Sequence, residues 1–269
     1  MTGSCILPSA HKIKIASFNL QIFGLTKAGK PEVVDVIARV IREFDIVAVQ
    51  EIRDSAGTAI DVLAAAVDSA GVDYEYAIGP RVGRTSSKEQ YAVFYNTATI
   101  QALPGAYTFD EGASDPFERE PYIAMFKAKD GAADFVIIDI HTKPDDATAE
   151  IEYLPTVMTD AASAMGEPDV ICLGDFNADW SYYDEDDYEM TFPIGFYNWL
   201  IPNAADTTVA LSSNTYDRIV TTKSMDEDYA GTAGVFRFDL EYGLSAAETA
   251  AVSDHYPVWA EFWADGDTD

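Results

Sequence analysis

Residues Asp45-Ile46-Val47-Ala48-Val49-Gln50-Glu51 form an apolar run that ends in two polar side chains. A run this short, continuous and β-branched reads as a strand covered on both faces, and Glu51 falls just past its end. Upstream, Ile13-Lys14-Ile15-Ala16-Ser17-Phe18 alternates in period two and stops at Asn19. Between these strands Pro31 opens a helix. Its apolar residues Val33, Val34, Ile37, Val40, Ile41 and Phe44 recur at helical spacing. Downstream, an alanine-rich helix is expected over Thr58 to Ser69. Strands follow over 74–78, 90–96, 99–108, 121–128 and 134–141. A helix over 146–164 leads to a buried strand over 169–174, and a short helix fits Ile194 to Leu200. Strands over 216–222, 234–238 and 256–262 complete the pattern. Strands outnumber helices, and no strand–helix–strand repeat runs throughout. The expected fold class is therefore α/β: a four-layer α/β sandwich, two packed mostly antiparallel sheets flanked by helices. One domain is expected over 12–263, with 1–11 as a disordered N-terminal segment and 264–269 as an acidic tail or linker stub.

Composition bounds the function. The 269 residues are 48% hydrophobic, which argues against global disorder and supports a sizeable core. No apolar run approaches the ~18 residues that a membrane helix needs, so no membrane partner is expected. Lys and Arg number 17 against 46 Asp and Glu, a formal charge of −29. That excludes a diffusely basic nucleic-acid binder, but not an enzyme that meets a polyanion through metal ions and a few placed arginines. The two cysteines, Cys5 and Cys172, are too few for a disulfide scaffold and read as free thiols. Met1 to Ser9 is not an intact signal peptide, which leaves a secreted, extracellular location open.

Polar residues suited to chemistry fall repeatedly at strand ends: Asn19, Glu51, His141, Asp175 with Asn177, Asp217, and Asp254 with His255. Side chains just past strand ends converge on one rim of a sheet. Taken singly, each has an ordinary alternative. A Glu after a strand is commonly a solvated turn carboxylate, Asp175-Phe176-Asn177 could be a turn, and a strand-end His is more often structural. Taken together they are hard oxygen donors suited to Mg²⁺ or Mn²⁺, with two histidines suited to acid–base work near neutral pH. That combination points to metal-assisted phosphoester hydrolysis.

The strings that carry these residues resemble the endonuclease/exonuclease/phosphatase superfamily. They are Ile15-Ala16-Ser17-Phe18-Asn19, Gln50-Glu51-Ile52-Arg53-Asp54, Gly174-Asp175-Phe176-Asn177-Ala178-Asp179, Tyr216-Asp217-Arg218-Ile219-Val220 and Ser253-Asp254-His255-Tyr256-Pro257-Val258. More specific strings are similar to the deoxyribonuclease I branch: Gly83 to Tyr91, Arg119-Glu120-Pro121, Trp199-Leu200-Ile201-Pro202 and Ala205-Asp206-Thr207-Thr208. The resemblance covers about 12 to 262 and implies an acidic, disulfide-free relative of bacterial or archaeal type.

On matching positions the resemblance implies roles. His141 and His255 would be the catalytic pair, with Glu89 bonded to His141 and Asp217 to His255, while Asn177 would stabilise the phosphorane. Glu51 would be the central ligand of catalytic Mg²⁺ or Mn²⁺, helped by Asn19, Asp175 and Asp254. Structural Ca²⁺ would be held at Glu111, Asp115, Phe117 and Glu120, and at Asp206 and Thr208. Arg119 would hold a phosphate, Arg53 would reach the minor groove, and Arg84 would join them on the DNA face. The partner is double-stranded DNA, cut to 5′-phosphate and 3′-hydroxyl ends by a monomer. Departures accompany the match. Ser87 replaces a groove-stacking tyrosine and Gln21 an arginine. Trp180 and Asn214 stand where the family has a disulfide, and Ala210 replaces a calcium-loop threonine. The weakened grip makes a separate DNA-binding module after Asp269 an expectation. Arg53, Arg81, Arg84, Arg119 and Arg218 would concentrate positive charge on one face, and activity would survive high salt. Two other readings compete: a phosphodiesterase or phosphatase acting on lipid or nucleotide phosphates, and a binding protein that has lost catalysis.

Overall fold

Period-two alternation in the first strand sends its residues to two different layers. In the computed structural model, which describes residues 11–267, strand β1 (Lys12–Phe23) turns Ile13 and Ile15 toward a second sheet and Ala16, Phe18 and Leu20 toward helices. The first sheet adds β2 (Ile46–Ile52), β3 (Tyr74–Ile78) and β4 (Gln90–Asn96). The second sheet holds β5 (Ile100–Ala102), β6 (Tyr107–Thr108), β7 (Tyr122–Ala128), β8 (Asp134–His141), β9 (Val170–Asp175), β10 (Tyr197–Trp199) and β11 (Asp217–Thr222). The chain then returns to the first sheet with β12 (Tyr229–Val235) and β13 (Val258–Trp263). The strand orders are β12-β13-β1-β2-β4-β3 and β10-β11-β9-β8-β7-β5, with β6 also paired to β7. Neighbours run antiparallel except for β1–β2 and β8–β9 at the two sheet centres.

Ile13, Ile46, Val93, Phe126, Phe135, Ile171, Leu173 and Ala260 pack between the sheets. On the outer face of the first sheet lie α1 (Leu25–Ala28), α2 (Pro31–Ile41) and α3 (Ala59–Asp68). The later helices α6 (Phe238–Tyr242) and α7 (Ala246–Val252) join them there. The long α4 (Ala147–Met165) covers the second sheet, and the short α5 (Tyr188–Thr191) packs against α4. The four-layer α/β sandwich expected from the sequence is the observed fold. Gly174 sets the spacing at its centre. Its φ is 146°, and a Cβ there would lie 1.8 Å from the Ile140 carbonyl oxygen on β8, so no other residue fits without moving β8 off β9.

Several element boundaries differ from the expectations. Ile194 to Leu200 is not a helix. Tyr197 and Trp199 alternate on β10 and pair with Thr222 and Val220, burying their rings near Phe192 and Phe176. The expected 99–108 strand is broken into β5 and β6 where Pro104 and Gly105 intervene. The strand expected at 234–238 lies earlier, at β12, and gives way to α6. Helix α7 was not anticipated, although Ser245 and Glu248 form a reciprocal capping box that a Ser-x-x-Glu spacing signals. Ala264, assigned to the tail, is buried, and its amide donates to the His11 carbonyl. Residues 1–10, with Cys5, and residues 268–269 fall outside the described residues. Cys172 is a buried free thiol.

Candidate active site

The inter-sheet face turns polar at one end of the sandwich, and strand parity decides which side chains arrive there. On β1 the face that buries Ile13 and Ile15 continues through Ser17 to Asn19; on β2 it continues through Ala48 to Gln50. On β8 it runs Phe135, Ile137, Asp139, His141; on β9 Ile171, Leu173, Asp175; on β11 it opens with Asp217. Glu89, just before β4, extends the face of Tyr91 and Val93. Below the site, Gln50 Nε2 donates to Asp139 Oδ1 across the sheets at 2.6 Å. Burial holds the Asp139 carboxyl well above its ordinary pKa.

Two histidine–carboxylate pairs straddle the sandwich. His141 Nδ1 lies 2.9 Å from Glu89 Oε1, and His255 Nδ1 lies 2.8 Å from Asp217 Oδ2. Both Nε2 atoms lie 3.5 Å from the same oxygen, Asp175 Oδ2. Asn19 Nδ2 donates to that oxygen at 2.9 Å and to Glu51 Oε1 at 3.3 Å. Burial alone would lower both imidazole pKa values. The adjacent carboxylates outweigh it, Glu89 then Asp175 raising His141, and Asp217 then Asp175 lifting His255 well above its ordinary value. Burial would likewise raise Asp175, but His255 and His141 hold its carboxyl low.

The backbone around Glu51 is strained. Gln21, Ile22 and Glu51 have φ of 45°, 55° and 63°, and the Ile22 amide donates to Glu51 Oε2 at 2.9 Å. Such left-handed conformations in non-glycine residues concentrate at functional sites. Asn177, at φ 48°, donates through Nδ2 to the Thr142 carbonyl, and its amide is received by Asp175 Oδ1. Asp254 is more open, with Oδ1 3.8 Å from His255 Nε2.

Of the expected metal ligands, Asn19, Glu51 and Asp175 are brought into direct contact, and Asp254 stands beside them across His255. The carboxylate oxygens of Glu51 and Asp175 are the hard donors that a divalent cation of the Mg²⁺ class takes and fit such an ion; Asn19 turns its Nδ2 toward them, and its Oδ1 receives the Gln21 amide. Among the described residues Asp175, Asp217 and His255 also bring ligand atoms within 4.8 Å of one another. In that trio His255 Nδ1 already lies against Asp217.

The arginines divide. Arg53 reaches Glu51 at 3.2 Å and Glu89 at 3.5 Å and stays a quarter exposed. Arg119, expected to hold a phosphate, is 3% exposed. Its Nε and Nη2 donate to the His141 carbonyl, and Nη2 also donates to that of Thr142. Arg84 is tied to Asp115 at 2.9 Å. Arg218 is fully buried, bonded to the Ile201 and Ala178 carbonyls and to Asn203, and adds no charge to the face assigned to it.

Two acidic loops flank the site. In one, Glu111 Oε2 receives the Phe117 amide. Burial, then Asp115 and Glu120, pushes the Glu111 carboxyl up to about 7. One buried Glu120 oxygen there has no hydrogen-bond partner. Crowded carboxylates with an unsatisfied oxygen fit a hard cation such as Ca²⁺. In the other loop Asp206 Oδ1 already receives the Thr208 amide and hydroxyl. Two site residues escaped the sequence reading. Ser253 accepts the His255 amide and donates to the Asn19 carbonyl, joining β1 to the last loop. Lys27 donates to the carbonyls of Leu20, Gln21 and Val252, and burial lowers its pKa to about 8 against the pull of Asp254 and Glu51. No spacing signalled Lys27; the Ser-Asp-His triplet was the only hint of Ser253.

The fold and this rim define a class. Residues 16–255 match the endonuclease/exonuclease/phosphatase family, and the chain belongs to it. Within that family it is similar in sequence to deoxyribonucleases. Deoxyribonuclease-1 of Oryctolagus cuniculus is 35% identical over 96% of this chain and 95% of its own length. Deoxyribonuclease-1 of Homo sapiens is 36% identical over 95% and 94%. Among solved structures, an endonuclease/exonuclease/phosphatase from Bacteroides vulgatus superposes with a TM-score of 0.67 at 17% identity, covering 94% of this chain and 98% of its own. The resemblance read from the sequence strings is borne out.

Proposed function

We propose that this protein is a divalent-metal-dependent, largely non-specific DNA endonuclease that leaves 5′-phosphate and 3′-hydroxyl ends. The observation that carries the reading is the convergence of His141 and His255, each held through Nδ1 by its own carboxylate, on Asp175 Oδ2 at 3.5 Å. Two imidazoles whose Nε2 atoms face one centre can handle two protons. One takes the proton of the attacking water and the other gives a proton to the departing 3′-oxygen. Glu89 and Asp217 fix the ring tautomers and stabilise the imidazolium form. Asn177, on its left-handed backbone, offers an amide toward charge developing on the phosphoryl oxygens. Glu51, Asn19, Asp175 and Asp254 would hold Mg²⁺ or Mn²⁺, which when bound supplies Lewis-acid stabilisation of the phosphoryl group. Arg53 fits a phosphate or groove contact. Arg119 acts as a positioning residue that braces the end of β8 through the His141 carbonyl. Ca²⁺ would occupy the Glu111–Glu120 loop and the Asp206–Thr208 loop. The substrate is double-stranded DNA, and secretion belongs to the same proposal.

Salt tolerance follows from the charge. At −29 the body repels DNA in dilute buffer, and few arginines remain on the face for salt to compete with. The test is nicking of supercoiled plasmid with Mg²⁺, with and without EDTA, against NaCl up to ~1 M. Loss of nicking in EDTA and a shallow salt dependence are expected. Unchanged nicking in EDTA would remove the metal, and collapse by ~0.2 M salt would remove the tolerance. Hydrolysis of a lipid or nucleotide phosphate with the plasmid left intact would favour the phosphatase reading.

A further inference from the structure

One exposed aromatic beside the site is left over by this mechanism. Trp180 is 67% exposed, an unusual condition for the largest apolar side chain. Its backbone is in the left-handed region at φ 60°, a conformation that costs free energy unless the surroundings impose it. Here Asp179 imposes it. One carboxylate oxygen receives the Trp180 amide, and the other receives the Thr215 amide at 2.6 Å. The Trp180 and Thr215 loops are thereby locked together. The ring is fixed edge-on against Tyr182, with centroids 5.3 Å apart. Trp180, Ser212, Ser213, Asn214 and Tyr216 together line an open cavity of about 460 Å³. Tyr216 continues the wall to the catalytic centre, its ring 6.2 Å from that of His255.

We propose that this cavity is a stacking subsite that takes one unpaired nucleobase of the DNA substrate on the Trp180 ring, next to the scissile phosphate. The proposal rests on the endonuclease reading above. A base inside a duplex has both faces covered, so an aromatic platform can hold only one that is frayed, flipped or single-stranded. Ser212, Ser213 and Asn214 carry rotatable hydroxyls and an amide that can donate to or accept from any base edge, which suits non-specific capture. Among the described residues no lysine or arginine lines the cavity. The grip is therefore uncharged, and it loses little when salt competes for phosphates. On a chain of −29 that is the kind of contact that survives where arginine–phosphate contacts weaken. Trp180 thus anchors DNA on the His255 side, beside Tyr216.

The test uses the full chain carrying His141→Ala in Ca²⁺ buffer, so that binding is read without cleavage. Two labelled single-stranded probes of equal length are compared by anisotropy: oligothymidylate and an abasic phosphodiester oligomer with the same charge. Oligothymidylate should bind about 5-fold or more tighter, the effect of ~1 kcal/mol or more per stacked base. The gap should persist at ~0.5 M NaCl, where phosphate contacts fade. Trp180→Ala should close the gap and Trp180→Phe should retain most of it; the exposed position makes both safe for folding. Equal affinity for the two probes, or a gap untouched by Trp180→Ala, overturns the subsite. Plasmid nicking by the wild-type protein is read separately. Nicking without a gap overturns the subsite alone, a gap without nicking supports the subsite and overturns the nuclease reading, and absence of both overturns the two together.

Discussion

The two halves of the site are built from the same parts in exchanged positions. His141 ends a strand of the second sheet and is held by Glu89, just before β4 of the first; His255 lies in the loop before β13 of the first sheet and is held by Asp217 of the second. Their surroundings differ in charge. Glu89 is flanked by Arg119 at 3.6 Å and Arg53 at 3.5 Å, while among the described residues Asp217 forms an ion pair with His255 alone. Burial would raise the Glu89 pKa, but His141, Arg119 and Arg53 hold it low; burial raises that of Asp217. The lesson is that one geometry can carry two tasks. The His141 half is locked into the body by permanent cations, and the His255 half depends on its own proton for neutrality.

The largest way to break this symmetry is to remove the rings. His141→Ala and His255→Ala should each lower plasmid nicking by about 10²- to 10⁴-fold, with melting temperature little changed. A near-normal rate in either variant would take that histidine out of the reaction. Neutralising the two carboxylates should separate the halves. Glu89→Gln takes the only ion-paired carboxylate among the described residues from buried Arg119, which keeps its carbonyl acceptors, while Arg53 keeps Glu51; it should cost about 3 kcal/mol of stability besides activity, the low end for a broken buried pair. Asp217→Asn should lower activity with a smaller thermal penalty, because no arginine loses its carboxylate. Equal melting shifts would contradict the distinction.

Each half also leans on one acidic loop. The Glu111–Glu120 loop leads into Arg119, and Thr208 forms a backbone bridge with His255. Ca²⁺ should raise the melting temperature by mass action. Glu120→Gln should remove more of that rise than Asp206→Ala, since one buried Glu120 oxygen has no hydrogen-bond partner whereas Thr208 already donates to Asp206. No rise with Ca²⁺ would remove the calcium sites. The smallest effect concerns Glu150, beneath the His141 half. Its carboxylate receives the Glu118 and Lys143 amides, and burial lifts its pKa from 4.5 to about 7. A raised carboxyl contributes stability below about pH 4.5 that is lost as pH rises through about 7. Melting temperature should therefore fall between pH 5 and 8, and Glu150→Gln should flatten that slope; a parallel slope would refute the assignment.

The candidate site residues were legible because strand parity is legible. Once Ile13, Ile15, Phe135 and Leu173 are placed between the sheets, Asn19, His141 and Asp175 must reach the same rim. The cross-sheet partner of each histidine came only through the family resemblance, since Glu89 and Asp217 lie 52 and 38 residues away in sequence. Arg218 was misassigned because a charged residue at a strand start looks exposed, whereas tertiary packing supplied carbonyl acceptors that let it be buried. The helix expected over Ile194 to Leu200 failed for a related reason. Five apolar or aromatic residues in seven fit either period, and the edge of β11 decided in favour of a strand.

Gly174 has no side chain to contribute, yet it lies on β9 beside Asp175 and pairs with Ile140, the neighbour of His141 on β8. A methyl group there would collide with the Ile140 carbonyl at 1.8 Å. In a mutational scan scored on DNA cleavage, every substitution at 174 would look like the loss of a catalytic group. Such a map would register the separation between β8 and β9 as if it were chemistry, and only a parallel measurement of folding would tell the hinge of the site from its reactive atoms.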